Sequence, residues 1–159
     1  MTQPEPAGQR LLRLWRKLAP VPGGRWLFAF AVKRAIPYTG SVSPRVEVLE
    51  PGYARISIVQ HRGIEQHLGS IHAIALANVA EFASGAAINA ALPPGYRGIV
   101  TGFRMEYFKK ARGRVTAESR AELPNLAQEA DHDFIAEITD SAGDLVARAT
   151  ATWRLGPRQ

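Results

Sequence analysis

One carboxylate stands alone in a long apolar run. Between Ile71 and Leu92, read as IHAIALANVAEFASGAAINAAL, Glu81 is the sole residue with a full charge at neutral pH. A lone carboxylate in a buried segment costs free energy unless something pairs with it or uses it. Used chemically, it would serve as a general base on water or as a nucleophile. At a carbonyl centre that chemistry also needs N–H donors where negative charge develops, and a helix start presents unpaired N–H groups at the positive end of its dipole. The bland alternative for Glu81 is a structural ion pair with an arginine elsewhere. His72, at the start of the same run, is expected to shape the loop by bonding backbone more than to act in catalysis. His61, and His132 in Asp131-His132-Asp133, lack metal-like partners and repeated spacing, so a solvated surface is expected for both and no metal site is expected.

The elements that must hold these residues follow from periodicity. The run from Ile71 to Leu92 is apolar on nearly every side, which belongs to a buried helix. It is also long enough to span a bilayer. His72, Asn78, Glu81, Ser84 and Asn89 make that reading costly in lipid. Residues 1 to 8 are polar and Pro-rich and read as a disordered tail. From Gln9 to Ala19, Leu11, Leu14, Trp15 and Leu18 share a face while Arg10, Arg13, Arg16 and Lys17 lie elsewhere, giving a basic amphipathic helix. Residues 9–19 are the place where a membrane surface would be met; packing on the chain's own domain is the preferred reading. A second short helix runs from about Arg25 to Ala35.

From Arg45 the period becomes two. Val46 and Val48, then Ala54, Ile56 and Ile58, flank a Pro51-Gly52 turn and read as a hairpin. Pro93-Pro94-Gly95 ends the long helix. Ile99, Thr101, Phe103, Met105 and Tyr107 are expected on one face of a strand. Val115 to Leu123 alternates almost ideally, Phe134, Ala136 and Ile138 continue the pattern, and Leu145 to Trp153 follows after a turn at Asp140 to Gly143. A helix apolar on most sides with a largely antiparallel sheet has an economical solution in which the sheet curls around the helix, an α+β arrangement. A second subunit is the expected cover for what the sheet leaves bare.

Composition narrows the partners. The 159 residues are one domain by length and contain no cysteine, which excludes disulfides, thiolate zinc sites and cysteine nucleophiles. The net charge of +6 favours anionic partners. No nucleic-acid motif and no Gly-rich phosphate loop is present, so nucleic acid is not expected. The short apolar run from Trp26 to Val32 is not a convincing secretory signal, and a cytoplasmic location is expected.

Three stretches carry a resemblance: HLGSIHAIALANVAEFASG (His67 to Gly85), EYFKKARG (Glu106 to Gly113) and PYTGSVSPRVEVLEPGYARI (Pro37 to Ile56). In these the chain resembles the hotdog fold, and within it the PaaI-like acyl-CoA thioesterases, especially a branch of bacterial proteins of unassigned function. The resemblance implies a curved antiparallel sheet wrapped around one long central helix in residues 37–159, with a tail and amphipathic helices in residues 1–36. It also implies a homodimer or dimer of dimers, with coenzyme A entering as part of the substrate and no separate cofactor.

The family pattern Gly-x-x-His-Gly-Gly, with an acid nine residues after the His, falls on Gly69, His72, Ala73 and Glu81. Glu81 is thereby implied as the catalytic carboxylate, and Ala73 replaces the Gly whose N–H polarises the thioester carbonyl. Gln66 stands where the pattern usually has Asn, and Thr101 is the nearest match to the Ser or Thr that a partner subunit contributes. His67, Gly69 and Asn78 are expected to line the substrate site. Lys109, Lys110 and Arg112, with Arg114, form a basic cluster suited either to coenzyme A phosphates or to a solvated sheet edge. Hydrolysis of an acyl-CoA or related thioester is the leading expectation. A non-hydrolytic acyl or acyl-CoA binding module on the same fold is the alternative that Ala73 and Gln66 favour. A hotdog dehydratase or hydratase, suggested by His67 lying fourteen residues before Glu81, ranks third.

Overall fold

The computed structural model describes residues 7–158. Three helices come first: α1 (Ala7–Leu18), α2 (Gly24–Ala35) and the short α3 (Pro37–Gly40). The hairpin β1 (Arg45–Glu50) and β2 (Tyr53–Val59) leads through a 3-10 turn at Arg62–Ile64 to α4 (Ala73–Ala91). Four strands close the chain: β3 (Tyr96–Tyr107), β4 (Arg114–Arg120), β5 (Ala130–Asp140) and β6 (Leu145–Pro157). All six pair antiparallel in the order β1-β2-β4-β5-β6-β3.

The sheet wraps α4, as the α+β expectation required. Its inner face supplies Ile56, Ile58, Val115, Ala117, Ala136, Ile138 and the small-residue row Ala147, Ala149 and Ala151, all fully buried. Those alanines on β6 let the helix come close, and Gly85 of α4 does the same in return. A Cβ on Gly85 would sit 2.9 Å from the ring of Trp153, so a glycine here lets the indole come close to the helix. α4 passes a length and composition test for crossing a bilayer, yet most of it is covered by protein.

α1 covers the far side of α4, in keeping with the expectation that the basic amphipathic helix packs on its own domain. Leu12 and Trp15 are buried there, with Trp15 edge-on to Phe28 of α2 at 5.1 Å. The side chain of Gln9 donates to the carbonyls of Ala90 and Leu92 at 3.0 and 3.1 Å, satisfying acceptors that a helix end leaves orphaned. Ala7 and Gly8, expected in a disordered tail, open α1; the rest of that expected tail, residues 1–6, lies outside the described residues.

Charge is segregated in the same way. Residues 7–44 hold seven Lys or Arg and no acid, whereas residues 45–159 hold thirteen of each sign. On the outer sheet face the two signs pair across strands: Arg148 with Glu137, Arg154 with Asp131, and Arg55 and Arg114 with Glu47. On α2, Trp26 and Phe30 stack on each other in the open.

β3 departs from the expected alternation. Its register with β6 shifts between Val100 and Gly102, so a bulge at Thr101 puts Gly98 and Val100 on the inner face before it and Phe103, Met105 and Tyr107 after it. Ile99 and Thr101 therefore do not share a face with Phe103, because one extra residue inverts the count.

Gly8 meets α4 without a side chain, and a Cβ there would lie 2.2 Å from the Asn89 carbonyl oxygen. Gly8→Ala should therefore cost about 1–3 kcal/mol through forced separation of α1 from α4. A urea titration should show a lowered midpoint; an unchanged midpoint would mean that α1 is not held there.

Candidate functional site

The start of α4 is fixed by backbone before any side chain acts. Ile71 N–H donates to the Ala111 carbonyl at 2.9 Å and His72 N–H to the Ile64 carbonyl at 2.8 Å. His72 is the N-cap, its Nδ1 accepting from Ile74 N–H at 3.1 Å. That bond makes the imidazole part of the helix end and places the proton of the neutral ring on Nε2. Ala73 N–H, the first of the helix, has no acceptor among the described residues. Tyr107 donates its hydroxyl to the Ala73 carbonyl at 3.0 Å, and burial pushes its phenol up from the ordinary value.

Around this free donor lies a pocket of about 320 Å³ bordered by Gln66, Ser70, Ala73, Tyr107, Lys109 and Lys110. The Gln66 amide donates to Ser70 Oγ at 2.6 Å and leaves its carbonyl oxygen unused. Lys109 is bound to Asp140 at 2.6 Å and Asp144 at 2.5 Å, so its charge is already answered. Arg114 is paired with Glu47, whose carboxyl is held low against an opposing effect of burial. Arg112 reaches the Gly69 carbonyl at 3.3 Å, where Gly69 adopts a left-handed φ of 67°. The expected four-member basic cluster thus reduces to Lys110 and Arg112, since the other two face carboxylates that the linear sequence places far away.

Glu81 occupies a different place. It lies eight residues after Ala73, about 12 Å along the helix at ~1.5 Å per residue. Ile74, Ala77 and Glu81 form the uncovered stripe of α4, beside Tyr38 of α3 and the inner-face Val100 and Phe103 of β3. Together with Asn78 these border a groove of about 350 Å³. Glu81 has no ion pair or hydrogen-bond donor among the described residues, and burial raises its carboxyl above the ordinary Glu value. The expected arginine partner of the structural reading is therefore not found among them. One turn earlier, Asn78 is 8% exposed and donates to the Tyr38 carbonyl at 3.0 Å, while its Oδ1 is buried with no donor.

The structure brings Gln66, Ala73, Lys109 and Lys110 to one pocket and Asn78 and Glu81 to another. Thr101 borders neither: its Oγ1 lies 3.4 Å from the Thr152 carbonyl, turned toward Asp131 on the outer face. His67 is exposed in the turn before Gly69. Sequence reasoning missed Tyr38, Ser70 and Tyr107. All three lie in the stretches that carry the resemblance, but residue type and spacing gave none of them a role: Ser70 directly precedes α4, whereas Tyr38 and Tyr107 meet it only through the tertiary fold.

A family model described as Domain of unknown function (DUF4442) matches residues 24–155. Among solved structures, a structural-genomics protein designated APC5556 is 27% identical with a TM-score of 0.83, covering 95% of this chain and 99% of that one. PA5026 from Pseudomonas aeruginosa, described as a protein of unknown function and "Probable Thioesterase", is 26% identical with a TM-score of 0.74, covering 87% of this chain and 97% of that one. HI1161 from Haemophilus influenzae, described as a thioesterase, shares the fold at 13% identity and a TM-score of 0.66, over 74% of this chain and 81% of that one. No curated protein sequence matches the chain. The fold is the hotdog, and among the structures that share it are ones described as a thioesterase or probable thioesterase.

Burial that raises the Glu81 carboxyl has a signed consequence for stability. The folded chain holds this proton more tightly than the unfolded chain, so the group opposes folding increasingly as pH rises above its ordinary value of about 4.3. Glu81→Gln should therefore melt higher than the parent protein at pH 8, and the two melting temperatures should converge below about pH 4. Differential scanning calorimetry across that range checks the sign; equal stability at every pH would remove the burial argument.

Proposed function

The chain belongs to the DUF4442 family, and from that premise of a hotdog fold with thioesterase neighbours we propose that it hydrolyses an acyl-CoA or related acyl thioester with Glu81 as the base. The observation that carries this reading is a partnerless, half-buried carboxylate beside an open groove in a structure that also leaves Ala73 N–H free at a helix start.

Ala73 and Glu81 lie about 12 Å apart along the helix axis, so one chain sets the donor and the acid at separate places along α4. A second copy resolves this. β3 is an edge strand of twelve residues, paired on one side to β6, and it carries exposed Ile99, Val100 and Phe103. A long apolar edge of that kind invites pairing. Antiparallel pairing of two such edges about a twofold axis sets the Tyr107 end of one copy over the opposite half of the other, bringing one α4 start toward the other copy's Glu81. The site is then composite and occurs twice per dimer.

In that site Glu81 takes a proton from water, and the oxygen adds to the thioester carbon. The oxyanion is met by Ala73 N–H, polarised by the helix start, and collapse breaks the C–S bond to release the thiolate, which recovers the proton. A carboxyl raised by burial is the stronger base, which suits it to this role. The Ala73 methyl narrows the approach without removing the donor. Lys110 and Arg112, exposed near the Ala73 pocket, are placed to meet the phosphates of coenzyme A.

Glu81→Gln should lower thiol release from acyl-CoA by about 10²–10⁴-fold with binding retained. Unchanged turnover in the purified variant would refute the assignment, and acyl-CoA binding without any turnover in the parent protein would favour the non-hydrolytic module. Replacing Lys110 and Arg112 together with Ala should raise KM for acyl-CoA several-fold, leave kcat within about twofold, and lose its effect in high salt.

A further inference from the structure

A larger space also adjoins Glu81. It measures about 630 Å³ and lies between α1, the junction of α2 with α3, and α4. Its walls are Leu11 and Leu14 of α1, Ile36, Phe82 and Ala86 of α4, and Trp153 of β6. Such a volume falls within the range of about 300–1,000 Å³ typical of small-molecule sites. Glu81 borders both this cavity and the β3 groove, so its carboxylate stands where the two meet. Leu11 and Leu14 pack against the core yet stay only half-buried, so part of their apolar surface borders the space.

Resting on the hydrolytic reading of Glu81, we propose that this cavity takes the hydrocarbon chain of a long-chain aliphatic acyl group, with α1 as its outer wall. The two openings at Glu81 then divide the substrate by polarity. The coenzyme A portion, polar and anionic, leaves along the β3 groove toward the basic side chains, and the acyl chain enters the apolar space beneath α1. The substrate class is accordingly a long-chain saturated or unsaturated fatty acyl thioester, and α1, which lies outside the stretch matched by the family model, sets how long a chain is accepted.

The test uses the full chain and two variants on the cavity wall of α1, Leu14→Trp to fill the space and Leu14→Ala to enlarge it. Folding of each is checked by its melting temperature. Thiol release is measured over saturated acyl-CoA substrates from butyryl to palmitoyl, and binding of a fluorescent long-chain fatty acid is measured in parallel. Leu14→Trp should lower the ratio of kcat/KM for palmitoyl over butyryl by about tenfold or more, the scale on which apolar pockets discriminate chain length. It should weaken the fluorescent fatty acid by a similar factor, while Leu14→Ala moves the ratio the other way. Fatty-acid binding that Leu14→Trp abolishes, with no thiol released from any substrate, upholds the cavity and overturns hydrolysis. Thiol release with a chain-length profile and fatty-acid binding unmoved by either folded variant upholds hydrolysis and overturns the cavity.

Discussion

Everything in this molecule follows from the need to bury a helix that is apolar on almost every side. A sheet can cover only part of such a helix, and here it does so closely because β6 offers alanines and α4 offers Gly85 where the backbones approach. The remainder is divided. α1 takes the C-terminal half, clamped by Gln9 and admitted by Gly8, and a stripe of Ile74, Ala77 and Glu81 stays uncovered beside β3. Placing the one charged residue of the helix on that stripe reconciles a carboxylate with an apolar rod. It is dry enough to be raised by burial and open enough to meet water.

The same arrangement explains why the site falls into two parts. A helix start supplies a donor only at its first turn, while the uncovered stripe reaches its acid two turns later. Helix geometry sets the two about 12 Å apart along the axis of one chain. Pre-organisation is strong at the first part, where backbone bonds from Ile71 and His72 and the hydroxyl of Tyr107 hold the turn around Ala73. At the second part it rests on Asn78, tied to α3 through the Tyr38 carbonyl and left with a buried acceptor that faces no donor.

Much of the architecture was legible in the sequence because it rests on periodicity. The all-round apolar run marked α4, Pro51-Gly52 marked the hairpin turn, and strict alternation marked β4 and β6. What escaped was whatever depends on a single inserted residue or a distant partner. The bulge at Thr101 inverts the face of half a strand, and no local pattern announces it. Lys109 looked like a free cation until β5 and the following turn delivered Asp140 and Asp144 to it. Of the candidate site, Glu81 stood out as the lone charge in an apolar run and Ala73 and Gln66 came from the family resemblance, whereas Tyr38 and Tyr107 enter only through tertiary contact. The expectation for His72 as a shaper of the loop matches its bond to Ile74 N–H.

The uneven distribution of charge has a bearing on assembly. With every excess cation carried by the N-terminal helices and a body that is balanced from residue 45 onward, the molecule is less a uniformly basic particle than a dipole with one repelling pole. α2 packs toward β1, at the opposite edge of the sheet order from β3. Copies drifting together are therefore turned away when they meet helix to helix, within the ~10 Å reach of unscreened charge at 0.1 M salt. Mutual repulsion between like molecules is thus directed, concentrated at the helical pole and weak elsewhere.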